Sequence, residues 1–125
     1  MTKKTGDVSG VDFVAVQVSD LERSRRFWIE MVGLEAAPRA PPGAVVFATT
    51  PIPFVITTPK VELKASTRLG WGVSLWIQIE DPDALCVKLK DHGVPILADV
   101  SDGSFGRQFT FADPDGYTFV AHGKV

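Results

Sequence analysis

The sequence predicts an α+β domain of two βαβββ modules in tandem, whose mixed sheets curl around a groove. Its 125 residues, 45% hydrophobic and 22% charged, have the size and composition of one small globular domain. Apolar residues alternate with period two in short segments and follow helical spacing in two longer ones. The two halves also match, because VQVSD at 16–20 aligns with IQIED at 77–81.

The first module is predicted at about 11–58, after a flexible leader at 1–10. Val14, Val16 and Val18 fall on one face of a first strand. Ser19-Asp20 is a typical N-cap for a helix at 21–32, and Gly33 can end that helix in a left-handed conformation. The remaining strands of the module are predicted near 34–39, 44–49 and 54–58.

The second module is predicted at about 72–123, after a linker at 59–71, and it completes a single domain at 11–125. A strand at 73–79 precedes Asp81, a cap, and Pro82, which suits the first helical position because it has no N–H to leave unpaired. A helix to His92 follows, and Gly93 ends it. Further strands are predicted near 94–99, 107–112 and 117–122, the last two joined by a turn at 113–116.

Composition excludes several functions. A formal net charge of -2 gives no reason to bind nucleic acid or an anionic membrane. The prolines at 40–59 would break a membrane-spanning helix, and the polar first ten residues are unlike a signal peptide. A lone cysteine, Cys86, allows no internal disulfide and is expected to be a packed core residue. We therefore expect a soluble cytoplasmic protein.

The run at 18–34 (VSDLERS…FW…GL) and the turn at 111–117 (FADPDGY) make the chain resemble the vicinal oxygen chelate superfamily. That superfamily includes glyoxalase I, extradiol dioxygenases and the bleomycin resistance proteins, and the resemblance covers about residues 11–123. Phe27-Trp28, 76–79 (WIQI) and 105–109 (FGRQF) are most similar to the bleomycin resistance proteins. The resemblance to these proteins implies a metal-free homodimer that sequesters a drug in grooves between paired sheets.

Metal-dependent members of the superfamily hold one divalent ion with His, Gln or Glu. Matching of motifs places the expected ligand positions at Phe13, Ser74 and Val120, and a fourth at Ile56 or Thr57. Phenylalanine and valine cannot coordinate a metal ion. The sequence therefore predicts neither a metal site nor a cofactor, and it offers no catalytic triad or phosphate-binding loop.

Trp76 is the first candidate for ligand binding. Period-two alternation points it away from its own helix and into the groove that the resemblance implies, where an indole offers a stacking surface and one N–H donor. Alternatively, Trp76 fills a dry core between modules or subunits. The same alternation and the resemblance give the other candidates, which are Phe13, Gln17, Ser74, Gln78, Val120, His122, Phe47, Phe54 and Phe105. The four phenylalanines among them are alternatively core residues.

Several candidates have equally simple structural explanations. Gln17 and Gln78 are related by the repeat and either orient a ligand or hydrogen-bond each other or a water. His122 is either a ligand contact or a solvated residue at a strand end. Arg107 either pairs with an anionic group of a ligand or is an ordinary surface arginine.

Three functions remain open. The first is a metal-free protein that binds an aromatic or peptidic small molecule, such as an antibiotic, and confers resistance by sequestration. The second is an enzyme of the same superfamily with a displaced or non-metal active site, and the third is a structural or regulatory domain. An open module face carrying Phe13, Trp76 and Val120 also predicts a homodimer, although pairing of the modules within one chain would cover it too.

Overall fold

The computed structural model describes residue 6 and residues 8–124. Of the predicted leader, residues 1–5 and 7 lie outside this range, and the other four residues are exposed. The elements, in chain order, are β1 (Val14–Gln17), α1 (Leu21–Arg26), a π-helical segment (Phe27–Val32), β2 (Ala44–Phe47), β3 (Phe54–Thr57), a 3-10 turn (Leu63–Ala65), β4 (Leu75–Gln78), α2 (Pro82–Asp91), β5 (Ile96–Gly103), β6 (Gly106–Ala112) and β7 (Thr118–His122).

The first helix covers the predicted residues but changes its winding halfway. The Asp20 carboxylate caps it by accepting a hydrogen bond from the Arg23 N–H at 3.0 Å. From Phe27 onward the chain winds as a π-helix, and the N–H of Gly33 donates to the carbonyl of Trp28, five residues back, at 3.0 Å. Gly33 then ends the helix at φ 96°, as predicted.

The second helix also begins and ends at the predicted signals. The Asp81 carboxylate accepts from the Ala84 N–H at 3.1 Å, and Pro82 occupies the first turn. His92 is the C-cap, and its ring Nδ1 lies 2.8 Å from the carbonyl of Lys88. Gly93 follows at φ 75°. Local capping chemistry was therefore sufficient to locate both helices.

The two sheets have related topologies. In the first, with strand order β1-β3-β2, β1 is parallel to β3 and β2 antiparallel to it. In the second, with order β4-β7-β6-β5, β4 is parallel to β7 and the other pairs are antiparallel. The predicted α+β fold of two mixed sheets is confirmed, whereas the exact domain boundaries stay a prediction.

The prediction of a strand near 34–39 is wrong, because the described part of the chain has no strand there. It is reduced to a single bridge between Ala36 and Phe47, with the Ala37 N–H donating to Val46 and the Ala48 N–H donating to Glu35. The chain bends at Pro38, where the ring fixes φ, and the bridge is not continued. The first sheet therefore has three strands where the second has four.

One hydrophobic core joins the two halves. Trp28 is fully buried, and its ring packs edge-on against Phe54 of the first sheet at 4.9 Å and Phe119 of the second at 4.7 Å, measured between centroids. Cys86 is buried in the same core, as expected, and burial raises the pKa of its thiol. The buried members of the core are Val18, Phe27, Trp28, Phe47, Ile56, Cys86, Leu89, Phe109, Phe111, Phe119 and Ala121.

A polar contact between distant parts of the sequence also connects the halves. Asp115, in the turn between β6 and β7, accepts hydrogen bonds from the backbone N–H of Ser19 at 3.1 Å and from its hydroxyl group. Arg23 lies 3.5 Å from the same carboxylate, whose side chain is only 5% exposed. Asp115 thus holds the beginning of α1 against the last hairpin of the chain.

Replacement of Asp115 by alanine is expected to lower the free energy of unfolding by about 1–3 kcal/mol, because it removes the hydrogen bonds from Ser19 to a charged and nearly buried carboxylate. Urea denaturation at neutral pH measures the loss. Asp102→Ala is the matched control, since Asp102 is 88% exposed in its ion pair with Arg107 and such pairs contribute little. Equal effects of the two substitutions would contradict the assigned role of Asp115.

Candidate functional site

The second sheet has one packed face and one open face. Leu75, Ile77 and Phe119 pack on the core side, as predicted for this strand pair. Trp76 alternates with them and is 44% exposed on the opposite side. Across the parallel pair β4–β7, Trp76 lies opposite Val120 and Gln78 lies opposite His122. The open face therefore carries four of the predicted site residues.

Trp76, Phe105 and His122 form what we call the aromatic cluster. The Trp76 ring centroid lies 5.4 Å from that of Phe105 and 5.8 Å from that of His122, and both contacts are edge-to-face. Phe105 stands in the short turn between β5 and β6 and is 55% exposed. The cluster thus combines side chains from a strand, a hairpin turn and a strand end into one accessible aromatic surface.

Ser74 fixes the indole of Trp76. The indole Nε1–H donates to the Ser74 hydroxyl at 2.9 Å. This contact corrects the expectation that the indole N–H is free for a ligand. The aromatic face of Trp76 is still accessible, and a satisfied N–H holds the ring in one orientation.

His122 has a defined donor. Its Nδ1 lies 2.9 Å from the carbonyl oxygen of Gly123 and 3.2 Å from that of Phe105. Carbonyl oxygens only accept, so Nδ1 carries the proton in these contacts. In the neutral ring, Nε2 is then the atom with a lone pair.

Two clefts follow the seam between the sheets. One, of 520 Å³, is lined by Val14 and Phe54 from the first sheet and by residues 75–78 from the second. The other, of 310 Å³, is lined by residues 14–17 and by parts of the linker and of β4. Trp76 and Gln78 belong to the first of these clefts, so it adjoins the aromatic cluster.

Gln17 and Gln78 do not share one cleft. Gln17 lines the 310 Å³ cleft, where its side-chain carbonyl accepts from the backbone N–H of Lys60 at 2.7 Å and of Val61 at 3.2 Å. Gln78 lines the 520 Å³ cleft and is exposed. The first amide thus positions the linker, and the second faces solvent beside the aromatic cluster.

Two predicted site residues lie away from the open face. Phe47 is fully buried and stacks on Phe54 with a centroid distance of 5.8 Å, so it belongs to the core. Arg107 pairs with Asp83 of α2 at 3.1 Å and with Asp102 at 3.4 Å, so its charge is used on the helix side of the sheet.

Phe54 is half-buried, packs against Trp28 and also lines the 520 Å³ cleft. Phe13, just before β1, is 54% exposed.

Sequence analysis missed Gln108 and Thr110. They lie opposite His122 and Val120 across the β6–β7 pair, on the open face. The signal was available, because Phe109 and Phe111 alternate with them and are core residues.

The positions expected to hold metal ligands do not fit a divalent ion. Phe13 and Val120 offer no donor atom, and the Ser74 hydroxyl already accepts from Trp76. Ile56 is buried in the core, and the neighbouring Thr57 pairs with Gln17. Within residue 6 and residues 8–124, no three His, Cys, Asp or Glu side chains are grouped to hold a metal ion.

Comparison with known proteins defines the class. The family model of the Glyoxalase/Bleomycin resistance protein/Dioxygenase superfamily matches residues 10–121, and the chain belongs to that superfamily. It is similar to the uncharacterized protein YetH of Bacillus subtilis (strain 168), with 27% identity over 118 residues, which are 90% of this chain and 97% of YetH.

Two solved structures show the range of proteins with this fold. TnmS3, an antibiotic binding protein from Streptomyces sp. CB03234, is 24% identical, with a TM-score of 0.70 over 94% of this chain and 98% of that one. Lactoylglutathione lyase from Agrobacterium tumefaciens is 16% identical, with a TM-score of 0.67 over 93% of this chain and 94% of that one. The fold is thus shared by a binding protein and an enzyme. In the part of the chain that the structure describes, no helix is both long and apolar enough to cross a bilayer.

Proposed function

We propose that this chain is a metal-free, cytoplasmic binding protein that captures an aromatic or peptidic small molecule, in the manner of drug sequestration. The observation that carries the proposal is the aromatic cluster, in which a half-exposed Trp76 is held by Ser74 beside Phe105 and His122. Accessible aromatic faces with a few fixed polar atoms are typical of small-molecule sites. Similarity to the antibiotic binding protein TnmS3 supports an antibiotic as the ligand.

The residue types at the family's metal positions support binding rather than metal-assisted catalysis. Polarisation of a substrate oxygen requires an ion held by several N, O or S donors. Phe13 and Val120 supply none, and Ser74 is engaged by Trp76.

We further propose that the protein works as a homodimer. Phe13, Val73 and Phe105 are each more than half exposed, and Trp76, which contacts Phe105, is 44% exposed. Apolar surface of this kind is typical of interfaces. A second copy would cover it and close the groove over the ligand, so sedimentation should give twice the 13.5 kDa chain mass.

Replacement of Trp76 by alanine should weaken ligand binding by about 30-fold or more, the usual cost of truncating a central aromatic contact. The measurement begins with a thermal-shift screen of metal-stripped protein against planar and glycopeptide antibiotics, bleomycin included. A ligand at a hundredfold its dissociation constant adds about 2.7 kcal/mol to stability. Titration calorimetry of the hits with wild type and Trp76→Ala then gives the ratio of the two dissociation constants.

Trp71→Ala is the matched control, because Trp71 is 74% exposed and stacks with Arg68 outside the aromatic cluster. It should leave the affinity unchanged. A strong response to Ni²⁺, Zn²⁺, Mn²⁺ or Fe²⁺, without any response to the antibiotics, would instead favour an enzyme and reject the proposal.

A further inference from the structure

The polar atoms of the aromatic cluster differ in whether they can still hydrogen-bond to a ligand. The donor of Trp76 is used by Ser74 at 2.9 Å. The donor of His122, at Nδ1, is used by the carbonyls of Phe105 and Gly123. Among the hydrogen bonds of the described residues, none reaches Nε2 of His122. The cluster therefore presents a hydrogen-bond acceptor and keeps both of its donors occupied.

The residues that pair with His122 in the sheet are uncharged. Gln78 lies opposite it on one side and Gln108 on the other. Trp76 and Phe105 contact its ring. The nearby Arg107 is paired with Asp83 and Asp102 on the helix side. A charged ligand group placed against His122 would lose its hydration without gaining a counter-ion from these residues.

We infer that the aromatic cluster selects planar aromatic ligands that carry a neutral hydrogen-bond donor, such as a phenolic hydroxyl or a ring N–H, with Nε2 of His122 as its acceptor. The inference rests on the proposed binding function and specifies the chemistry of that site. Trp76 supplies the stacking surface, which any flat ring satisfies, and His122 determines which flat rings bind best. His122 is thus the specificity-determining residue.

Three naphthalene probes test the inference on the full chain at pH 8. 2-Naphthol carries the donor, 2-methoxynaphthalene has nearly the same shape without it, and 2-naphthoate carries an anion. Calorimetry or NMR titration should show 2-naphthol binding about tenfold more tightly than 2-methoxynaphthalene, the value of one hydrogen bond. 2-Naphthoate should bind more weakly than 2-naphthol.

Variants of His122 and Ser74 test whether the difference in affinity between 2-naphthol and 2-methoxynaphthalene arises at His122. His122→Phe keeps an aromatic ring but has no acceptor, so it should abolish the difference between 2-naphthol and 2-methoxynaphthalene. His122→Gln places an amide oxygen near the position of Nε2 and should restore part of the difference. Ser74→Ala releases the Trp76 N–H, which can then donate to the oxygen of either probe, so the difference should persist.

The outcomes separate the two proposals. If 2-naphthol and 2-methoxynaphthalene bind equally and both lose affinity in Trp76→Ala, the binding function stands and the role of His122 is rejected. Tightest binding by 2-naphthoate would also reject that role, because it would reveal a cationic or donor site. Failure of all three probes to bind at millimolar concentration would overturn the inference, whereas the binding function is overturned only by failure of the antibiotic screen.

Discussion

Replacement of Trp28 by alanine is expected to lower the free energy of unfolding by about 3–5 kcal/mol, the usual loss for a buried tryptophan. Trp28 is fully buried and contacts aromatic rings of both sheets, Phe54 in the first and Phe119 in the second. Its removal would leave a cavity where the two halves meet. Because most small domains are stable by about 5–15 kcal/mol, this variant is expected to be marginally folded.

Trp28→Phe tests the explanation. The indole Nε1 of Trp28 is buried without a hydrogen-bond partner in the described residues, so phenylalanine removes an unsatisfied donor while keeping a ring. The loss of stability in Trp28→Phe should be clearly smaller than the loss in Trp28→Ala. Urea denaturation followed by circular dichroism measures both variants, with Val87→Ala on the exposed side of α2 as the control. A loss below 1 kcal/mol for Trp28→Ala would show that the core is not continuous there.

Asp113 is expected to make the protein less stable as the pH rises from about 4 to 6. Its side chain is 4% exposed, and burial raises its pKa from 3.8 to about 6 in spite of hydrogen bonds from the backbone N–H groups of Tyr117 and Asp115. Between these two pH values the folded chain binds this proton and the unfolded chain releases it. Stability therefore falls through this interval, and the loss is complete above pH 6.

The stability lost as Asp113 ionises is roughly 3 kcal/mol, from about two pKa units at 1.36 kcal/mol each. Asp113→Asn removes the titration and keeps an oxygen that can accept from the same N–H groups. The measurement is the difference in unfolding free energy between wild type and Asp113→Asn at pH 4, 5, 6 and 7, since other carboxyl groups contribute equally to both. Wild type should lose stability relative to the variant as the pH rises, and a constant difference would contradict the burial argument.

Local chemistry predicted much of the fold. Asp20 and Asp81 cap helices where the sequence placed them, and Gly33 and Gly93 end them. Period-two alternation correctly separated the core face of β4 and β7 from the open face that carries Trp76. These features depend on neighbours a few residues apart, which a sequence displays directly.

Features that depend on long-range packing were predicted less well. The strand near 34–39 is absent as a ladder because Pro38 ends its pairing with β2. Phe47 stayed open between groove and core because the register of β2 cannot be deduced from four apolar residues. The two explanations of Arg107 stayed open because its partner Asp83 is 24 residues away in the sequence.

The contacts of Ser19 and Trp28 also bear on when the chain can fold during its synthesis. Ser19 is held by Asp115, 96 residues later, and Trp28 packs against Phe119. Neither partner exists until synthesis has reached β7. Trp28 and its apolar neighbours would stay uncovered until then, a period in which nascent chains are prone to aggregate and are bound by chaperones. Folding of this domain is thus expected to wait for the synthesis of β7.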